Sequence, residues 1–172
     1  MGPTLRPSIA RVSAFFLTLA VSLTVLGARW VYLNRQGLYG AAAYDGDITR
    51  MRLIEVLGVD VNGSACSRCP LPLIQAAWGG NREAVKFLLA RGANINDPGN
   101  FDHTPLMMAS FFGDTEMVRL LLERGADVNF RDRDGNTALS MARERRYGFV
   151  VSLLRQAGAK DDQLATDHLN NR

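Results

Sequence analysis

The chain has 172 residues, of which 47% are apolar and 22% are charged, with 16 glycines and 6 prolines. This composition excludes a disordered, collagen-like or low-complexity protein, and the length suits one folded domain with short terminal additions. The net charge of +3 does not indicate nucleic-acid binding, because residues 1–35 hold four arginines and no acidic residue, which leaves the remainder of the chain at −1.

The first predicted element is an apolar helix over residues 12–28, behind a basic region at residues 1–11. Its 17 residues carry no charge and lie between Arg11 and Arg29. A membrane-spanning helix needs roughly 17–25 residues and the apolar part of a cleaved export signal about 7–15, so both interpretations stay open. Trp30 and Tyr32 follow where interfacial aromatics occur, and a small-x-small cleavage site is lacking, which favours an uncleaved anchor.

These features predict a single-pass membrane protein in which residues 29–36 form a juxtamembrane linker. We expect the folded domain on the extracytoplasmic side, mostly because residues 1–28 resemble a secretory start, since the arginines on the two sides nearly balance. A secreted or periplasmic protein, left after cleavage, and a merely buried helix are the alternatives.

From residue 37 onward, a unit of 33 or 34 residues recurs. Glycine and asparagine mark the period. The glycines are Gly58, Gly92, Gly125 and Gly158, and an asparagine follows each of the first three by four positions, at Asn62, Asn96 and Asn129. Such a period is typical of a solenoid. The clearest copy, HTPLMMASFFGDTEMVRLLLERGADVNF over residues 103–130, resembles the ankyrin repeat in its T-P-L and G-A-D-V-N segments. The other copies lie at residues 37–62, 71–96 and 136–160.

The resemblance implies an all-α ankyrin-repeat solenoid over residues 37–162, built of four helix–turn–helix repeats with β-hairpin-like finger loops, before a polar tail at residues 163–172. In the clearest copy, Thr104 and Pro105 suit the start of a first helix and Gly113 suits its end. A second helix is predicted from Asp114 or Thr115 to Gly125. The last copy places arginine and serine at outward positions, so we expect it to cap the stack.

Catalysis and metal binding find little support in the sequence. The two histidines, His103 and His168, are separated by a whole repeat and lack cysteine or histidine partners at ligand spacing. We therefore expect no enzyme, no metal and no cofactor, and we interpret His103 as a surface residue or a binding contact.

Cys66 and Cys69 are the only cysteines, and they occupy the positions where the ankyrin pattern has the Asp and Gly of its finger turn. Residues i and i+3 of a turn approach within about 7 Å, which overlaps the roughly 4.4–6.8 Å that a disulfide spans. Three states stay open: a structural disulfide, free thiols, and a working redox pair aided by the following helix start.

The resemblance also implies where a partner would bind, because ankyrin stacks use their finger tips and two variable positions before the helix-ending glycine. These residues are Tyr44, Asp45, Trp78, Phe111, Phe112, Glu144 and Arg145 at the variable positions, and Arg68, Phe101, His103 and Arg133 in the fingers. Tyr44, Trp78 and Phe111 are predicted to form an aromatic ladder, as binding hot spots often do. The alternative is that these rings only pack on neighbouring helices.

The predicted function is therefore that of a non-catalytic protein–protein binding module, membrane-tethered or exported, which holds or shields another protein. The alternatives are a thiol–disulfide redox protein that uses Cys66 and Cys69, and a structural domain without a specific partner.

Overall fold

The computed structural model describes the backbone of residues 9–67 and 69–160, and the side chains of residues 27–160 except Arg68 and Phe101. Within these ranges the helices are α1 (Ile9–Asp45), α2 (Ile48–Glu55), α3 (Pro72–Trp78), α4 (Arg82–Ala90), α5 (Pro105–Phe112), α6 (Thr115–Glu123), α7 (Ala138–Glu144) and α8 (Gly148–Gln156), with a 3₁₀ turn at Gly99–Phe101. The chain divides into two compact units, Met1–Arg35 and Gln36–Arg172.

Helix α1 includes the predicted linker at residues 29–36, so this segment is helical. The Arg35 guanidinium lies 4.2 Å from the centroid of the Tyr32 ring and donates a 2.6 Å hydrogen bond to the Tyr32 carbonyl. The predicted basic region lies outside the residues with described side chains, as do residues 12–26 of the predicted anchor and the polar tail. In the part of the chain that the structure describes, no helix is sufficiently long and apolar to cross a membrane, and the anchor is not confirmed.

The second unit is a stack of helix–turn–helix repeats, which confirms the predicted all-helical architecture. The third repeat shows why the sequence folds in this way. Thr104 accepts a hydrogen bond from the Met107 N–H (3.3 Å), Pro105 takes the first helical position, and Gly113 ends α5 with φ +74°. The second helix ends at Glu123, two residues before the predicted Gly125.

Small side chains allow neighbouring first helices to approach closely. They are buried in all four repeats and comprise Ala42, Ala43, Ala76, Ala77, Ala109, Ser110 and Ala142. One continuous apolar core runs past them from Tyr39 to Leu154. Because each helix pair exposes an apolar face that only its neighbours cover, the stability of the stack depends on every interface between repeats.

The repeated asparagines bridge successive repeats. The Oδ1 atoms of Asn62, Asn96 and Asn129 each accept a 2.8 Å hydrogen bond from a backbone N–H one repeat later, at Asn94, Asp127 and Lys160. This contact explains why asparagine recurs with the period of the solenoid.

The described residues contain no strand, and the predicted β-hairpin-like form of the finger loops is limited to a turn and one backbone bond across the last finger. Side chains supply the other bonds that close this finger. In the last finger, Asp132 accepts hydrogen bonds from the N–H groups of Asp134 (3.0 Å) and Asn136 (2.7 Å), while one backbone bond crosses the loop from Asp132 N–H to the Asn136 carbonyl (3.0 Å). These local bonds leave no extended ladder of backbone hydrogen bonds for a strand pair.

Candidate functional site

Three successive first helices end in half-exposed aromatic side chains, which we call the aromatic stripe: Tyr44, Trp78 and Phe112. The Tyr44 and Trp78 rings meet edge to face with centroids 6.1 Å apart, and Trp78 stacks on Phe112 at 6.4 Å with an interplanar angle of 17°. The side chains are exposed by 45%, 45% and 46%. The stripe therefore continues across three repeats and keeps about half of its ring surface in water.

The predicted third member of the ladder, Phe111, is not part of the stripe. It is partly buried and packs against the core, while its neighbour Phe112 meets Trp78. The third repeat thus places its second variable residue in the stripe, whereas the second repeat places its first, Trp78. In the second repeat the second variable position is Gly79, and a Cβ there would lie 2.1 Å from the Tyr44 carbonyl oxygen. A side chain therefore fits at the second variable position of the third repeat but not of the second.

Phe111 connects the stripe to a concave pocket between the third and fourth repeats. Its ring meets Phe112 edge to face at 5.1 Å, and the Arg145 guanidinium carbon lies 3.9 Å from its centroid. The pocket, which we call the inter-repeat recess, has a volume of about 280 Å³ and is lined by His103, Met108, Phe111, Asn136, Met141 and Glu144. Thioethers and an aromatic ring thus form an apolar surface with polar groups at its rim.

The finger residue His103 lies at this rim and faces a buried carboxylate. Its Nε2 atom is 3.4 Å from Oδ2 of Asp132, which also holds the last finger together. Arg133 is exposed, and its guanidinium lies 3.5 Å from the carboxylate of Asp102 in the preceding finger. His103 therefore lines the recess, whereas Arg133 lies in the last finger. Each of the two residues pairs with an aspartate of the neighbouring finger, His103 with Asp132 and Arg133 with Asp102.

The remaining predicted site residues are less closely associated with the stripe or lie outside the description. Asp45 is exposed and forms a 3.3 Å ion pair with Arg50. Arg68 and the side chain of Phe101 lie outside the described residues. Sequence reasoning missed Met108 and Met141 as lining residues, because methionine at a helical spacing is usually a core residue.

Cys66 and Cys69 form a disulfide with Cα atoms 5.1 Å apart. The bond spans the turn in which the Cys69 N–H donates to the Cys66 carbonyl (3.1 Å). The same turn occurs in the last finger between Asp132 and Gly135 (3.0 Å), so the disulfide stands where the other finger has its Asp and Gly.

Among the residues that the structure describes, no group of three or more His, Cys, Asp or Glu side chains is placed to hold a metal ion. The surface offers aromatic, thioether, amide and ion-paired groups, which suit contact with a second macromolecule.

Comparison with known proteins supports the repeat assignment. The family model described as ankyrin repeats (3 copies) matches residues 73–165, which cover all but the first two residues of the second repeat and the whole of the third and fourth. No curated protein matches the chain.

Proposed function

Because this chain belongs to the ankyrin-repeat family, we propose that it is a non-catalytic binding module whose aromatic stripe and inter-repeat recess hold a partner protein. Ankyrin repeats generally mediate protein–protein interactions. The observation that carries the proposal is the contact of three half-exposed rings across three repeats. Burial of the remaining ring surface against a partner releases water from apolar area, and tryptophan and tyrosine are frequent hot-spot residues.

The recess gives this surface a place for a protruding side chain. Met108, Met141 and Phe111 supply an adaptable apolar lining, and Glu144, His103 and Asn136 supply polar groups at the rim. An apolar centre with a polar rim is the usual anatomy of a protein–protein contact. The mechanism in this proposal is occupancy: the module holds or shields its partner and performs no chemistry on it.

Replacement of Trp78 by alanine tests the proposal. Proteins cross-linked to the full-length chain are identified by mass spectrometry, and the affinity of the recovered partner is measured with Trp78→Ala and with Leu53→Ala. We expect Trp78→Ala to weaken binding by about 2 kcal/mol, or roughly 30-fold in Kd. Leu53 is 68% exposed and lies outside the stripe, so Leu53→Ala is the matched control and should bind normally.

A second measurement separates binding from folding. Trp78 is half exposed, so its truncation should lower the free energy of unfolding only by the loss of its two ring contacts, worth about 0.5–1.5 kcal/mol each, and leave the protein folded. Undiminished affinity in a folded Trp78→Ala protein would contradict the stripe as the binding surface.

We also propose that residues 12–28 tether the module to a membrane, with the repeats on the extracytoplasmic side. The run of 17 uncharged residues supports a membrane segment, and the Cys66–Cys69 disulfide supports an oxidising compartment. For the test, both cysteines are replaced by serine and Asn170 by cysteine. We expect a membrane-impermeant maleimide to label this variant before detergent opens the membrane, whereas labelling only after lysis would place the repeats in the cytosol.

A further inference from the structure

The start of α8 differs in chemistry from the start of α6, although the two helices occupy equivalent places in their repeats. Asp114 precedes α6 and caps it by accepting a 3.0 Å hydrogen bond from the Met117 N–H. The corresponding residue before α8 is Tyr147, whose side chain makes no cap hydrogen bond. Two residues later, the glutamate of α6, Glu116, is replaced by Phe149, which is 86% exposed.

An open recess lies beside these two aromatic residues. This terminal recess has a volume of about 590 Å³ and is lined by Gly113, Thr115, Arg146, Tyr147, Phe149 and Ser152, among others. The Tyr147 ring rests directly against Gly113, where a Cβ would lie 2.8 Å from ring atoms. The glycine therefore allows the ring to form one wall of the recess.

Arg146 brings a positive charge to the same place in an unfavourable backbone conformation. Its φ is +61°, in the left-handed region, and the other three repeats have glycine at this position, Gly46, Gly80 and Gly113, with φ between +69° and +74°. Glycine adopts such a φ without steric cost, whereas an arginine in this conformation is sterically strained. The attraction of its charge to the C-terminal end of α7 is worth only about 0.3–1 kcal/mol at an exposed position, less than the cost of the left-handed backbone.

The charge of the last repeat is also distinct. Residues 131–160 contain seven basic and three acidic side chains, a net charge of +4, whereas residues 36–130 carry a net charge of −3. None of the described residues that line the terminal recess is acidic. The recess therefore combines two aromatic rings with a cation in the basic part of the stack, and such a surface attracts an acidic partner.

We propose that the terminal recess is a second docking surface, separate from the aromatic stripe, which takes an acidic segment of a partner protein. One large apolar side chain of that segment lies against Tyr147 and Phe149, and a neighbouring carboxylate pairs with Arg146. One protruding side chain with a carboxylate beside it matches both the two rings and the arginine, and a peptide presents these two groups at a fixed spacing. A peptide is therefore a better match than a membrane.

Labelled peptides test the proposal on the full-length protein, kept in non-ionic detergent. The probe is a dodecapeptide of aspartate and glutamate with one central leucine, and two control peptides replace the leucine by serine or the acids by lysine. We expect fluorescence anisotropy to show at least tenfold tighter binding of the probe than of either control. Phe149→Glu restores the residue type of the two preceding repeats, and it should weaken probe binding at least fivefold.

Arg146→Gly separates the docking role from folding. Glycine relieves the left-handed backbone, so this variant should unfold at a higher temperature than the wild type while it binds the probe at least fivefold more weakly. Phe112→Ala, in the aromatic stripe, should bind the probe as the wild type does. Failure of this proposal is therefore distinguishable from failure of the proposed stripe function, because only the recess variants are expected to weaken binding of the probe peptide.

Three outcomes would overturn the proposal. The first is equal affinity for the three peptides, and the second is unchanged probe binding by both recess variants. For the third, Phe149→Trp reports on the environment of the recess by its emission. A blue shift with soluble short-chain phosphatidylserine, but none with the probe, would assign the recess to a lipid surface.

Discussion

The first repeat has Tyr39 where the third has Leu106, and the last repeat has Arg146 where the third has Gly113. Both ends of the stack thus depart from the repeat pattern, but their surroundings differ. Tyr39 is fully buried, and its hydroxyl donates a 2.9 Å hydrogen bond to Oε1 of Glu55. Glu55 also pairs with Arg91 of the second repeat, so the unusual tyrosine joins a network across the first interface.

At Arg146 and Phe149 of the last repeat, the described residues show no comparable network. Arg146 keeps a left-handed backbone, and the exposed Phe149 replaces a charged residue on the helix surface. A departure from the pattern is structural when groups inside the fold satisfy it, as Glu55 does for Tyr39. A departure that costs stability without an internal partner indicates a role outside the fold.

The largest effect is expected from Gly113→Ala, because the added methyl group of the third repeat would clash with Tyr147 of the last repeat. The new Cβ combines a φ of +74° with a 2.8 Å approach to the Tyr147 ring. We expect a loss of about 2–4 kcal/mol in the free energy of unfolding, measured by urea denaturation. Gly125→Ala is the control, since its φ is +85° but no atom lies within 4 Å of the added Cβ, and it should cost only about 1–2 kcal/mol. Equal losses would mean that Tyr147 moves aside freely.

The next effect concerns the first finger, where a disulfide takes the place of the Asp and Gly of the last finger. Replacement of Cys66 and Cys69 by serine removes a bond that closes only a short loop. We expect a loss of about 2 kcal/mol in thermal unfolding and no change in partner binding. Cys66→Asp with Cys69→Gly copies Asp132 and Gly135 and should recover most of the loss. Failure to recover would show that the two turns differ. Loss of the protein's function at unchanged stability would favour a redox role.

A smaller effect is expected at the first interface. Tyr39→Phe removes the hydroxyl that donates to Glu55, while Arg91 still pairs with the carboxylate. We expect a loss of about 1.5 kcal/mol at neutral pH, because the bond joins a buried hydroxyl to a charged group. Tyr44→Phe alters an exposed phenol and should be neutral. A neutral Tyr39→Phe would remove the evidence that the first repeat compensates for its tyrosine.

The same residue predicts a dependence on alkaline pH. Burial, followed by the hydrogen bond to Glu55, raises the pKa of Tyr39 well above its ordinary value. Between the unfolded pKa of about 10 and the raised folded pKa, the unfolded chain binds fewer protons than the native protein, so stability falls as pH increases. The decline above pH ~10 should be shallower in Tyr39→Phe than in the wild type.

Most of the fold could be predicted from the sequence, because its signals are local and repeated. Thr104, Pro105 and Gly113 fix helix ends by backbone chemistry, and the period of the glycines fixes the stacking unit. The finger loops were predicted less fully, since the resemblance implied a hairpin-like form but not the side chains that close it. The bonds that close the last finger come from Asp132, whose partners become visible only in three dimensions.

The candidate site could be predicted only in part, because the identity of the exposed ring depends on packing between repeats. Tyr44 and Trp78 lie in the stripe as their spacing predicts, but Phe112 replaces Phe111. Phe111 and Phe112 are adjacent in sequence, and only contact with Trp78 distinguishes them. The terminal recess was not predicted. Arg146 already departs from the glycine pattern in the sequence, but its left-handed φ and the exposure of Phe149 become known only from the structure.

The smallest expected effect tests the rule that an uncompensated departure indicates function. Ser110 takes the second position of a small-residue pair where the two preceding repeats have Ala43 and Ala77. It is fully buried, and its Oγ meets no hydrogen-bond partner among the described residues. A buried hydroxyl without a partner costs about 1–3 kcal/mol in mutational comparisons. Here, however, no ligand can reach the group.

Ser110→Ala should therefore raise the free energy of unfolding by about 1 kcal/mol and leave both stripe and recess binding unchanged. The reverse change, Ala77→Ser, buries the same hydroxyl in the preceding repeat and should cost a similar amount. If Ser110→Ala instead destabilised the protein, the hydroxyl would have a partner in solution. If Ser110→Ala instead weakened binding, a buried residue would influence the binding surface. The exposure of a residue could then no longer be used to tell a functional departure from a structural one.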